Sequence, residues 1–532
     1  MQYYHLNQKN MKKTIQKTLI ASLTMLLGNL AFSQTTIGWN KKYGGNGADR
    51  GHCIKQTADG GYIISGYTDT GNNGDVTGYK GGGDVWVVKT DNAGNLEWQS
   101  AYGGYGSEPW TEGYTHIIPT TDGGYFVMGE SNSSDGDLTE NKGNFDLWVF
   151  KIDNDGDMEW QKSLGGSLHD GATSVLLNGD GSFIIAGYTS SNDGDVASNK
   201  GMIDGWLVKL SDDGNIVWEK TIGGTWTDGF RNIRHTADGG YILTGSTLSN
   251  DGDLVGLNPG GWMELAKYWI VKLDNNADIE WQSVIGGTGK DHAQSIIPTN
   301  DGGYIVAGTT ESTNGDITES FGEWDWWVVK LNDTGSIEWQ KTLGGSERDE
   351  VRSMEALSDG SGFFILGTTQ STDGDVTTNH GEKDIWLVKM DFDGNILTNQ
   401  CFGGTGNEIG FYGIESSDGG IVITGRTNTD DDGDVIGNSQ GEDLWVFKLE
   451  DNTTGIEEQL NKSFSIYPNP ADDMLYFSEL LKNIEIYSIN GQKIMYYSNI
   501  TQLNIDFLDS GTYLLQAETA DGKTAVQKII KK

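Results

Sequence analysis

An all-β fold, made of one four-stranded unit repeated seven times and followed by a small antiparallel domain, is what the sequence predicts, on three observations. A double glycine recurs at even spacing. Each interval holds short apolar runs parted by glycine and asparagine turns, and helix-period patterning is missing between them. The first glycines of the pairs are Gly44, Gly103, Gly165, Gly223, Gly286, Gly344 and Gly403, which gives intervals of 59, 62, 58, 63, 58 and 59 residues. Such a period is the mark of a repeat architecture and governs how every local motif is read. Composition agrees, with 78 glycines and 18 tryptophans but only 6 prolines in 532 residues.

Residues 1–33 read as an export signal: Lys12, Lys13 and Lys17 precede the apolar TLIASLTMLLGNLAF, and small Ser33 stands before Gln34. Met11 is an alternative start, because the stretch from it onward is already a complete signal. No second apolar run approaches the ~18 residues of a spanning helix, so no transmembrane anchor is expected.

Residues 34–450 hold the repeats. One unit runs through IEWQKTLGG, AQSIIPT, GGYIVAGTT and DWWVVKLN. Four strands without an intervening helix point to the blades of a β-propeller. The tight turn DNAGN couples VWVVK to LEWQS, so the tryptophan strand after the turn forms the outside of the same blade. That leaves TTIGWNKKYGG, residues 35–45, to complete the last blade, whose own strands end at DLWVFKLE near Glu450. A clasp of this kind removes two free sheet edges. It also sets Cys401 on an outer strand and Cys53 on an inner one, beyond bridging distance, and two unpaired buried cysteines are expected.

The order of double glycine, acid, strand, DGGY hairpin, G-x-T, long loop and D-x-W-x-V-K resembles the seven-bladed β-propeller repeat family of bacterial secreted proteins. The resemblance covers residues 35–450 and implies the fold; propellers host many unrelated functions, so it says little about activity.

Alternating strand direction sorts the connections onto two faces. The DGGY and DNAGN turns fall on one; the DGD loops and the double-glycine connections fall on the other, which has the longer loops and is where function is sought. An acid stands five residues after each first glycine: Asp49, Glu108, Asp170, Asp228, Asp291, Asp349 and Glu408. These acids ring the channel mouth, either as caps on their own connections or as a cation-binding ring. The second acidic phrase, [DN]-G-D, supplies Asp135 with Asp137, Asp193 with Asp195, Asp251 with Asp253, Asp373 with Asp375 and Asp432 with Asp434, and in two units Asn73 with Asp75 and Asn314 with Asp316. Calcium takes six to eight oxygens, and these loops offer either calcium ligands or Asx-type turns. Calcium is the one cofactor the sequence suggests.

Thirteen tryptophans occupy framework positions. Of the rest, Trp110, Trp226, Trp262 and Trp324 fall in loops of the acidic face and Trp326 in a strand. Aromatic loops above blades two to five are candidates for stacking on sugars or peptide side chains, or for covering loop backbone. Lys89 is expected to meet Glu97 across its hairpin as a solvated pair.

The formal charge of −40, from 76 acids against 36 Lys and Arg, argues against nucleic acid or an anionic membrane as partner. The histidines lack zinc spacing, and neither HExxH nor GxSxG occurs. No catalytic residue is assigned, although paired carboxylates leave a glycoside hydrolase or lyase as an alternative.

After Glu450 the repeat stops. Residues 451–462 read as a linker, and residues 463–532 as short alternating strands with NG, DSG and DG turns, predicting an antiparallel sandwich. This tail resembles the type A C-terminal sorting domain of the Bacteroidetes type IX secretion system, through Tyr467, Pro468, Asn469 and Pro470, then Gly491, then Gly511 and Tyr513, and finally Lys531 and Lys532. The resemblance implies passage through type IX machinery to the cell surface or the medium. The whole reads as an exported binding or adhesion module, with surface glycans or proteins as partners; a structural surface-layer component is the other alternative.

Overall fold

The computed structural model describes residues 35–106, 115–257, 265–437 and 441–451, and in the C-terminal part residues 466–467, 471, 473–488, 493–508, 511–519 and 524–531. The chain divides into two compact units, residues 1–450 and 451–532.

The first unit is seven antiparallel four-stranded sheets. Blade three shows the pattern: inner strand Asp170–Leu177, second strand Phe183–Thr189, third strand Asp204–Leu210 and outer strand Ile216–Ile222. The inner strands of the seven blades are Asp49–Gln56, His116–Pro119, Asp170–Leu177, Asp228–His235, Asp291–Pro298, Asp349–Ala356 and Glu408–Glu415. Each touches the next, and the seventh touches the first, which closes the ring around an axis. Blade seven takes its outer strand, Thr35–Tyr43, from the start of the chain, hydrogen-bonded to Asp443–Asp451. The hairpin argument therefore gives the clasp correctly.

Blades cohere through tryptophan. Trp86, Trp148, Trp206, Trp269, Trp327, Trp386 and Trp445 on the third strands are fully buried. Six of them donate their indole N–H to an outer-strand side chain, as Trp86 does to Gln99 at 2.7 Å and Trp269 to Gln282 at 2.9 Å. This satisfies the one polar atom that a buried indole carries.

The outer-strand tryptophans lie instead on the turn of the following blade. A Cβ on Gly94, Gly214 or Gly335 would stand 2.6 Å from the ring of Trp39, Trp160 or Trp281, so those turns must be glycine. In blade six the same position is Thr398. Blade seven has no such turn, because its third and outer strands are opposite ends of the chain, and a tryptophan there would have nothing to cover. A cleft of about 670 Å³ takes its place, lined by Thr35, Thr398 and Gln400 among others. Cys53 and Cys401 are both buried and free.

The expected solvated Lys89 pair is corrected by burial. Lys89 is 2% exposed and reaches Glu97 at 2.7 Å and, in addition, Asp59 of the DGG turn at 2.8 Å. Lys272 and Lys330 repeat the fork, with Asp238 and Glu280 and with Asp301 and Glu338. Each fork ties three strands of a blade, because the turn between the inner and second strands supplies one acid and the outer strand the other.

In the second unit, five antiparallel strands are linked through the long strand Met474–Ser488. Leu475, Phe477, Leu481, Ile484, Ile486, Leu503, Leu515 and Ile529 form its core. Among the described residues, no helix is long and apolar enough to cross a membrane.

Candidate functional site

On the loop face, the double glycine and the DGD phrase form one lock. The second acid of each phrase accepts the first glycine N–H: Asp75 from Gly44, Asp137 from Gly103, Asp195 from Gly165, Asp253 from Gly223, Asp316 from Gly286, Asp375 from Gly344 and Asp434 from Gly403, at 2.9–3.3 Å. The first acid or asparagine accepts the N–H two residues further on, as Asp135 does from Tyr105 and Asp193 from Ser167, and likewise Asp251, Asp373 and Asp432. The glycine between them has φ of 59–74° in all seven units, among them Gly136 at 65° and Gly194 at 66°. A Cβ on Gly136 would stand 2.3 Å from the Gly103 carbonyl.

The acids five residues after the first glycine complete the lock from below. Asp49, Asp170, Asp228, Asp291, Asp349 and Glu408 are 0% exposed, and each accepts the second glycine N–H at 2.7–2.9 Å. Ser or Thr hydroxyls add further bonds, such as Ser191 to Asp170 and Ser249 to Asp228, both at 2.7 Å. Burial pushes the Asp49, Asp291 and Asp349 carboxyls up despite these bonds. Among the described residues, no group of three or more His, Cys, Asp or Glu side chains is placed to hold a metal ion.

Trp226 and Trp324 are half-buried on this face. The Trp324 ring lies 4.0 Å from the Arg348 guanidinium and 6.2 Å from His292. Glu108, Trp110 and Trp262 lie outside the described residues, as do Pro468, Asn469, Pro470, Gly491 and Lys532 of the tail. Of the other tail residues, Tyr467 is exposed and stacks on Tyr476, Gly511 has a φ of 159°, Tyr513 packs on the core and Lys531 pairs with Asp473.

The axis holds what the motif reading missed. In blades one and three to seven, the inner strand shifts register across one residue, the third after the acid. A bulge re-aims the side chain it carries. Here the bulge residues are His52, Thr173, Arg231, Gln294, Arg352 and Phe411, and all six line a narrow neck on the axis.

Thr173 and Arg231 also line a larger cavity of about 610 Å³ beside the neck, with Glu130, Phe145, His169, Tyr188, Phe230, Ser246 and His292. Glu130, Tyr188 and Ser246 share another repeat position, the middle of G-x-T, which is Tyr67, Glu130, Tyr188, Ser246, Thr309, Thr368 and Arg426 along the chain. The G-x-T position differs from unit to unit between a constant glycine and a Thr or Ser, and the bulge position differs as well. That contrast is the sequence signal which finds the mouth.

Within the cavity Glu130 is 4% exposed. It accepts the Tyr188 hydroxyl at 2.7 Å and lies 3.0 Å from His169 Nε2. The Glu130 carboxylate holds the His169 imidazole above its ordinary range, whereas burial and Arg231 lower His292 to about 4. In the neck, burial and neighbouring cations lower His52 and His116 to about 3, so both are neutral. Below the neck, Arg234 meets Glu355 at 2.6 Å, Tyr412 donates to Glu355 at 2.7 Å, and Lys55 reaches the Tyr412 hydroxyl at 3.1 Å. This knot joins blades one, four, six and seven across the axis.

The first unit is thus a propeller with an axial mouth on its loop face. The second is a sorting signal: residues 465–532 match the family described as the secretion system C-terminal sorting domain. The tail marks the chain for export by the type IX system to the cell surface or the medium. Regulatory protein FlaEY of Caulobacter vibrioides is 24% identical over 379 residues, covering 61% of this chain. The chain spans 38% of that relative's length. Solved structures resembling the chain include the Pan2 WD40 domain of Neurospora crassa, at 10% identity and a TM-score of 0.40, covering 76% of this chain and 95% of that one. Sqt1 from Chaetomium thermophilum is similar at 10% identity and a TM-score of 0.39, covering 78% and 99%.

Proposed function

We propose that the exported propeller is a non-catalytic binding module whose ligand, a surface glycan or protein, enters the axial mouth on the loop face. The observation that supports this reading is the cavity of about 610 Å³, whose size suits a small ligand or the end of a larger one. In its wall Glu130, Tyr188 and Ser246 occupy the middle of G-x-T, and Thr173 and Arg231 the bulge, two positions at which the repeat units differ. Phe145 and Tyr188 are half-buried there and offer ring faces for stacking.

The test is a glycan array probed with the full chain and with Tyr188→Ala. Bound glycans that the variant loses by at least tenfold place the ligand in the mouth; an array blank for both proteins counts against glycan binding. A purely structural surface component would leave the array blank.

One observation favours a second reading, a lyase or hydrolase. A buried carboxylate in contact with a tyrosine and a histidine is the kind of set that moves protons. Turnover of polysaccharide by the intact protein, abolished in Glu130→Gln, would replace the binding reading.

A further inference from the structure

We propose that the ligand of the mouth is a short acidic saccharide, its carboxylate or sulfate met by Arg231 and Arg352; this rests on the binding reading above. The chain has six arginines, Arg50, Arg231, Arg234, Arg348, Arg352 and Arg426, and a formal charge of −40. All six stand around the axis. Arg50, Arg231, Arg234 and Arg352 are on inner strands, Arg348 directly precedes one, and Arg426 is the G-x-T residue of blade seven.

Four of them share two carboxylates. Glu442 serves both Arg50 and Arg426, and Glu350 serves both Arg348, at 2.5 Å, and Arg352, at 3.0 Å. At these two acids cations outnumber carboxylates two to one, while Arg234 pairs with Glu355 and the cavity wall also carries Glu130 and Asp228. The neutral state of the neck histidines fits the cation excess, since the arginines around His52 are among the causes that lower it.

Guanidinium is the side-chain group whose planar fork matches a carboxylate or a sulfate. Lysine carries the structural forks of the blades, whereas two of the six arginines sit on bulges that aim them into the neck. The neighbouring cavity adds apolar ring surface from Phe145, Tyr188 and Phe230. A ligand with a flat apolar face and an anionic substituent fits both, and an acidic sugar has that make-up. The negative charge over the rest of the molecule repels a long polyanion, so the cavity selects a short oligomer or a chain end.

The test is an array that carries acidic oligosaccharides, each beside its esterified, reduced or desulfated neutral counterpart, with acidic peptides in a further arm. It is probed with the full chain, with Arg231→Gln/Arg352→Gln and with Arg231→Lys, each variant checked for an unchanged melting temperature. We expect at least tenfold preference for acidic over neutral partners, lost in the double glutamine variant and partly kept in Arg231→Lys. Whether carboxylate or sulfate features dominate identifies the anion. Binding to neutral glycans alone, or acidic binding that survives the double variant, overturns the inference and leaves the binding reading standing. Capture of acidic peptides in place of sugars overturns the saccharide assignment. An array blank in every arm removes both readings together. Should the double variant melt early, Arg231→Lys decides: it keeps the charge, and unchanged preference in it refutes a role for the fork.

Discussion

Replacing Lys330 by methionine isolates the charge of a buried lysine fork from its packing. The Lys330 ammonium lies 2.9 Å from Asp301, 3.0 Å from Glu338 and 3.1 Å from the Leu331 carbonyl, in a side chain 4% exposed. Methionine keeps most of the stem's apolar contact and removes all three bonds. Net values of about 0.5–1.5 kcal/mol for a neutral hydrogen bond, and somewhat more for a charged one, set the upper end of the loss. The acids are 60% and 47% exposed and regain water once the lysine is gone, which reduces it. The expected cost is about 1–3 kcal/mol, larger than the median exposed ion pair.

Denaturant midpoints at pH 7, with the slope checked for constancy, measure it. The Thr299 hydroxyl and, after it, the lysine hold the Asp301 carboxyl below its ordinary range. A depressed carboxylate contributes stability above its unfolded pKa and loses it as pH falls through the folded value. The wild type should therefore lose stability on acidification below about pH 4, and the variant should lose less. A change under about 0.5 kcal/mol at pH 7, or identical acid limbs, would refute the reasoning.

Gly344→Ala places a Cβ 2.4 Å from Asp325 and 2.8 Å from Asp349, and should destabilise by about 2 kcal/mol or more through broken lock geometry, read by the same midpoints. Glu130→Gln removes the carboxylate that raises His169; its imidazole should titrate at lower pH, followed by NMR, and an unmoved titration would place the charge elsewhere. Calcium should leave the melting temperature unchanged relative to chelator, because both residues of each [DN]-G-D phrase already accept backbone N–H groups; a rise of several degrees would make those loops metal sites.

The period, the turn chemistry and the leftover first strand determine the propeller and its clasp without coordinates. Hairpin connections and alternation are local, and a ring of seven equal units has few ways to close. The tail's sorting role is legible for the same reason, as a short run of motif residues in fixed order. The burial of Lys89 was not legible: its second acid, Asp59, comes from a turn 30 residues away, and burial is a property of the packed blade.

The mouth needed the tertiary structure for a different reason. A bulge is an irregularity of pairing between two strands, and nothing in DGFRNIRH says that Arg231 is the residue the pairing skips. Sequence determines which residue types recur; only closure of the ring brings six skipped residues, far apart in the chain, to one axis. Repetition carries the framework through local periodicity, whereas the chemistry of the mouth lies in the departures from it, whose meaning depends on where the ring places them.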